Sequence, residues 1–200
     1  PGSTHVPERR SRRWRVQGGE GWVGGGGRGG GGQPRGRVFV PMHWNRQFSQ
    51  QSHVDMLVAA RACPFSGQPA LKQTPVRILP LAVSWQGWLW QRGITQPAGL
   101  RYWSRAPYAA VQRYAVAGEG SPQAWLAGQV DDQGGDLQPA PGSGNDYRLL
   151  AWRDGVLQLA FYAGSMLPSI ATAFVAAAFP AAPQDAAARL CGFAGPSLHG

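Results

Sequence analysis

Cysteine is scarce in this 200-residue chain: Cys63 and Cys191 are its only two, far apart and with no C-x-x-C pair. That spacing excludes the usual zinc and cysteine-bound iron-sulfur patterns within these residues and leaves two reduced thiols as the expectation. Lysine is scarcer still, since Lys72 stands alone beside 18 arginines. With abundant Gly, Ala and Pro, this is the amino-acid bias of a GC-rich gene. Acidic residues number 10 against 19 basic, a formal charge of +9, and the excess is uneven. Residues 1–46 carry nine Arg and two Glu, whereas the rest of the chain has a net charge of only +2. A basic nucleic-acid-binding surface over the whole molecule is therefore excluded, and any such role would belong to the N-terminal segment.

Long apolar runs are also missing. The longest uncharged stretch, Val156 to Gln184, is broken by Pro168, Pro180 and Pro183, so it does not read as a transmembrane helix. No apolar run follows the charges of Pro1 to Arg13, so no secretory signal is read there, and a first residue other than Met suggests a piece of a longer chain. What is present is 43% hydrophobic residues, nine of them Trp, which is enough for a core.

From Gly18 to Gly36, 12 of 19 residues are glycine. Glycine loses the most backbone entropy on ordering and has no side chain to bury, so residues 1–35 are expected to be disordered. Val38 to Val40, stopped by Pro41, reads as a short buried strand. His53 to Ala62 has helical apolar spacing and Thr74 to Leu81 is strand-like. Residues 82–128 hold five of the tryptophans and are expected to be irregular with short helices. Residues 129–146 read as a linker loop. Asp154-Gly155 between two apolar, β-prone arms, Tyr147 to Arg153 and Val156 to Ala163, predicts a type I′ hairpin. Ile170 to Phe179 then reads as a short helix.

The match of Gly19 to Gly24 to G-x-G-x-x-G lacks the flanking strand and helix that dinucleotide binding requires, and in so glycine-dense a stretch it carries no weight. Arg28-Gly29-Gly30 and Arg35-Gly36-Arg37 are weak pieces of RNA-binding Arg-Gly repeats. His43, His53 and Cys63 are ten residues apart, a spacing of no common metal site. No nucleophile elbow, zinc-protease helix or phosphate loop occurs. These residues alone suggest no self-contained active site.

The stretch Gly36 to Ile78, GRVFVPMHWNRQFSQQSHVDMLVAARACPFSGQPALKQTPVRI, is more specific. Its VFVPMHW, SGQP-x-x-K and PVR elements resemble the C-terminal cofactor-binding region of bacterial molybdenum oxidoreductases, assimilatory nitrate reductases above all. A looser second anchor is RLLAWRDGVLQLAFYAG. The resemblance implies a mainly β fold with short helices: a double-psi β-barrel with a hairpin-containing extension. It also implies bis-molybdopterin guanine dinucleotide with molybdenum as cofactor, a [4Fe-4S] cluster upstream of these residues, and nitrate as substrate. An electron-donor protein or domain and a cytoplasmic location are implied too, with no nucleic-acid or membrane partner. A relative such as a formate dehydrogenase is the alternative within the same family, because barrel residues contact the cofactor rather than select the substrate. The rival from another class is a nucleic-acid-binding protein that uses the Arg/Gly tail.

Carried over by motif, Met42 and His43 fall where the family brings the VFVP strand end against a pterin. Asp55 takes the place of a cofactor-contacting Asn, keeping the acceptor but losing the amide donor. Lys72 falls on the family's cofactor-contacting Lys. Cys63 replaces an Asp before the Ser-Gly turn. Ahead of VFVP the chain departs from the family, where an alternating strand follows Ser-Arg-Arg-Gly. Residues 14–35 are therefore expected to be an out-of-frame reading of GC-rich DNA, and the last ten residues to be a second slip. Translation of the gene in its other two frames is expected to yield an alternating apolar strand across residues 14–35. If neither frame yields one, the idea is wrong.

Overall fold

The computed structural model describes residues 13–19, 21–27, 34–41, 45–69, 74–130, 136–140, 146–181, 184–186 and 190. It divides into two units, Pro1–Ala82 and Val83–Gly200, and is mainly β with few, short helices.

In the first unit, β1 (Arg13–Gln17), β2 (Trp22–Gly26) and β3 (Arg77–Pro80) form an antiparallel sheet in the order β2-β1-β3. The glycine-rich stretch expected to be disordered thus contributes a paired strand, and the reason is clearance. A Cβ at Gly26 would come within 2.8 Å of the Arg13 guanidinium, and one at Gly27 within 2.7 Å of the Trp14 indole. The absent side chains leave room for the large ones of β1. The turn between β1 and β2 closes through the Gly18 N–H, which donates to the Gly21 carbonyl at 2.8 Å. A Cβ on Gly18 would sit 2.6 Å from the Leu57 Cα, so only glycine lets this turn lie against the 3₁₀ helix Val54–Leu57. The register Val16↔Val23 and Val16↔Ile78 puts these three on one face, and Val16 and Val23 form a small core with Val54 and Leu57. Whether residues 14–35 are read in frame is a question for the nucleotide sequence; as it stands, the polypeptide places two strands there.

Val38 to Val40 is not the buried strand expected. Val38 is 43% and Phe39 75% exposed, and only Val40 touches the small core. A turn in which the Arg37 N–H donates to the Pro34 carbonyl precedes them, and Pro41, with no donor, follows. Too little chain remains between the two for a ladder. The expected helix over His53 to Ala62 contracts to one 3₁₀ turn because Val58 is extended, at φ −79° and ψ 128°. β3 is the shortened form of the strand expected over Thr74 to Leu81.

In the second unit, β4 (Trp85–Gln91), β5 (Tyr102–Tyr108), β6 (Val111–Gly118), β7 (Asp136–Ala140), β8 (Tyr147–Arg153) and β9 (Val156–Gly164) build a six-stranded antiparallel sheet ordered β5-β6-β4-β9-β8-β7. The Asp-Gly hairpin is present: Asp154 (φ 51°) and Gly155 (φ 72°) both take the left-handed conformation of a type I′ turn. Two expectations are corrected. The tryptophan-rich stretch is mostly strand, β4, β5 and β6, with the expected short helix only at its end in α1 (Pro122–Val130), and the supposed linker holds the end of α1 and the edge strand β7.

Both faces of this sheet are covered, which is why the sequence shows no polar alternation. On one face Trp85, Leu89, Tyr114, Val116, Leu149 and Phe161 pack with Leu126 and Val130 of α1. On the other, Trp90, Leu150, Trp152, Ala160 and Tyr162 pack with Val175 of α2 (Thr172–Ala176) and with Phe179. No helix among the described residues is long and apolar enough to cross a membrane.

Gly87 lies between the tryptophans of β4, where a Cβ would run into the Tyr162 carbonyl and come within 3.1 Å of the Ala163 Cβ. Gly87→Ala is expected to destabilise the protein by about 2 kcal/mol through overpacking. Gly128→Ala in α1, where nothing lies within 4 Å of the added carbon, should gain up to about 1 kcal/mol. Urea unfolding followed by tryptophan fluorescence checks both signs.

Candidate functional site

Of the four residues marked by motif, Met42, His43 and Lys72 lie outside the described residues. Asp55 is within them. It sits in the first turn of the 3₁₀ helix, whose Val54 and Leu57 are buried in the small core. That anchoring turns Asp55 outward, where it is exposed. Its backbone carbonyl accepts the Val58 N–H at 3.0 Å.

The segment leading into this helix holds polar atoms that the fold does not satisfy. The Asn45 side chain accepts the Gln47 N–H at 2.9 Å, and the Asn45 carbonyl takes the Phe48 and Ser49 amides. The Ser52 hydroxyl donates to the Ser49 carbonyl at 3.1 Å. Within this turn the Ser49 hydroxyl and the His53 Nε2 are both shielded from solvent and have no hydrogen-bond partner among the described residues. Ser49 itself is completely buried. Each such orphan costs roughly 1–3 kcal/mol.

Cys63 stands where the resemblance places an Asp. It opens a turn in which the Gly67 N–H donates to the Cys63 carbonyl at 2.9 Å and the Cys63 N–H donates to Gln68 at 2.8 Å. The thiol is exposed. Its pKa is held below the ordinary value, first by the Ser66 hydroxyl and then by the Ser66 and Phe65 backbone amides. The turn thus favours a thiolate. Among the described residues no group of three His, Cys, Asp or Glu side chains could hold a metal ion.

In the second unit a cleft runs beside α1, lined by Leu89, Gln91, Arg92, Leu126, Arg153 and Gln158 among others. Arg92 is committed to holding the fold, donating from Nε to the Leu157 carbonyl at 2.9 Å and from Nη2 to the Phe179 carbonyl at 2.7 Å. Asp55, the described motif residue, is not among the residues that line it.

Over 161 residues, 80% of its length, the chain is 40% identical to a nitrate reductase of Klebsiella oxytoca. The chain is similar to nitrate reductases. Over 46 residues, 23% of its length, it is 46% identical to a nitrate reductase of Synechocystis sp.. It is also 33% identical over 67 residues, 34% of its length, to one of Shewanella frigidimarina. It spans 18% of the Klebsiella nitrate reductase, 6% of the Synechocystis one and 7% of the Shewanella one. No family model matches the chain, and no solved structure matches it. A match of 161 residues is longer than either structural unit, so the likeness to nitrate reductase reaches beyond the motif stretch into both.

Ten-residue gaps to His43 and Cys63 give His53 no metal-ligand spacing. Nothing in the sequence signals it otherwise, because shielding of one ring nitrogen is a property of the folded turn.

The thiol predicts a pH profile. Alkylation of Cys63 should set in at lower pH than for an ordinary cysteine, and Ser66→Ala, which removes the leading stabiliser of the thiolate, should move the profile to higher pH. Iodoacetamide labelling rates across pH measure it, and superimposable profiles would refute the assignment.

Proposed function

We propose that this chain is a cofactor-holding part of a molybdenum-dependent nitrate reductase. The observation that carries the reading is the 40% identity over 161 residues to a nitrate reductase, supported by the clustering of motif elements between Gly36 and Ile78. In this reading the sheet of the first unit belongs to a double-psi barrel, and the second unit is the extension that follows it. The cofactor is bis-molybdopterin guanine dinucleotide. Met42, His43, Asp55 and Lys72 hold it: Lys72 as a point charge toward pterin or phosphate oxygens, Asp55 as an acceptor for a ring N–H. When bound, the molybdenum centre supplies the two-electron reduction of nitrate to nitrite, with two protons consumed and water released.

This chain's share of the work is binding and orientation. A [4Fe-4S] cluster and the protein ligand to molybdenum belong to other parts of the longer polypeptide, electrons come from a donor protein or domain, and the setting is cytoplasmic nitrate assimilation. The 200 residues alone should therefore reduce no nitrate.

The test uses the full-length enzyme. Lys72→Ala should lower molybdenum content and nitrate reduction together while the fold is kept, because a charge-assisted hydrogen bond contributes roughly 1.5–3 kcal/mol. Lys72→Arg should recover only part of the loss, since a planar fork does not replace a compact ammonium. Asp55→Asn restores the family's amide donor and should leave activity equal or higher. Full molybdenum and full activity in Lys72→Ala would remove Lys72 from the site.

A further inference from the structure

We propose that the apolar face left open along β3 in the first unit is a docking surface for another part of the longer polypeptide, a segment with an apolar centre and acidic residues around it. The inference rests on the functional reading above only in taking the chain as part of a larger nitrate reductase, and it adds an interface to the cofactor contacts. Its ground is a core that stops short. Val16 stands between Val23 on β2 and Ile78 on β3, all three on one face of the sheet. Val16 and Val23 pack with Val54 and Leu57 and are 9% and 7% exposed, whereas Ile78 at the end of the row is 43% exposed. Pro80, two residues further along β3 and so on the same face, is exposed as well. Val40 packs against the same core while its chain neighbours Val38 and Phe39 stand open. In the order β2-β1-β3 no described strand pairs with the outer edge of β3.

Among the described residues the core of the first unit buries four apolar side chains, whereas the second unit has two clusters of twelve. Four are too few to hold such a unit together alone, so its open apolar side chains need a cover in the folded protein. The longer polypeptide has the length to supply one: the match takes up 18% of the Klebsiella nitrate reductase, and more than four-fifths of that enzyme lies outside it. Charge selects the same occupant. Residues 34–82 carry six basic groups and one acid, Asp55, and Arg35, Arg37, Arg61 and Arg77 are all exposed. Arg37 adjoins Val38, and Arg77 lies between Val76 and Ile78, so the apolar face has a basic rim. A second copy seated symmetrically on this face would set that rim against itself. A segment of the same polypeptide with an acidic rim pairs with it and, being tethered, needs no high concentration.

The experiment places photo-reactive benzoylphenylalanine at residue 39 or residue 78 of the full-length enzyme, and the cross-linked peptides are identified by mass spectrometry. Both positions should cross-link to a segment outside these 200 residues that holds more Asp and Glu than Arg and Lys. The product should keep the mass of a single polypeptide, with a yield independent of enzyme concentration. In parallel, iodoacetamide labelling of Phe39→Cys and Ile78→Cys, read peptide by peptide, should run about tenfold or more slower than that of Val156→Cys, a hairpin position 43% exposed like Ile78. If the bulky probe prevents folding, the labelling rates decide alone. Labelling at 39 and 78 as fast as at 156 overturns the inference, as do cross-links between two molecules, to a basic segment, or back into these 200 residues. Molybdenum content of the same preparations reports on the functional reading separately. An enzyme without molybdenum that cross-links as expected overturns that reading and keeps the interface, whereas a loaded enzyme with both positions open overturns the interface alone.

Discussion

Trp85, Leu89 and Trp90 share one strand yet belong to two cores, one on each side of the six-stranded sheet. Strand β4 pairs with β6 and β9 along both edges and carries tryptophans toward both faces, so the sheet has to be covered twice. One short helix from each side of the chain meets that demand, α1 and α2, and the aromatic rings interlock edge to face where they cross strands. Trp85 meets Phe161 at 5.9 Å and Trp90 meets Tyr162 at 5.7 Å, both near perpendicular, a geometry that adds roughly 0.5–1.5 kcal/mol beyond burial. The indole N–H groups that reach the rim are tied down as well. Trp88 donates to the Pro168 carbonyl and Trp125 to the Ala98 carbonyl, each at 2.8 Å, which fixes the loop that leads into α2 to the sheet and the loop between β4 and β5 to α1.

The same constraint explains what could be read in the sequence and what could not. The Asp-Gly hairpin is local: two residues that tolerate positive φ, with apolar arms, specify it without help from the rest of the chain. β4 is not local. A strand buried on both faces has no polar alternation, so Trp85 to Trp90 gives a run that periodicity cannot sort into helix or strand. Its assignment depends on α1 and α2, which lie far away in the sequence. β7 is hidden for the opposite reason. As an edge strand containing Pro139 and flanked by glycine-rich polar sequence, it carries every mark of a loop.

In the first unit the error ran through glycine. Composition alone says that Gly24 to Gly27 has nothing to bury, and that is true of the glycines themselves. What composition omits is that a bare backbone can be the receiving surface for a neighbour. Arg13 and Trp14 lie where the Cβ atoms of Gly26 and Gly27 would stand, and the Arg15 guanidinium stacks 4.7 Å from the Trp22 ring. The entropy lost in ordering glycine is offset by packing of side chains that belong to another strand. Val38 to Val40 shows the reverse case. Its β-branched and aromatic residues promise a strand, and the turn at Pro34 on one side with Pro41 on the other leaves no length for pairing.

The candidate site was legible as far as motifs reach and no further. Asp55 could be marked because it sits before Met56 and Leu57 in a pattern with a counterpart in the resembled family, and the 3₁₀ helix does turn it outward. The pattern is blind to the residues that support it. Whether a histidine nitrogen is satisfied depends on the path of the turn around it, and Asn45, Ser49 and Ser52 settle that path through bonds to one another. In such a turn the hydrogen bonds that are made define the shape, and the polar atoms left over, the Ser49 Oγ and the His53 Nε2, are enclosed by the fold. The first kind follows from local sequence. The second becomes visible only when every donor and acceptor has been traced to its partner.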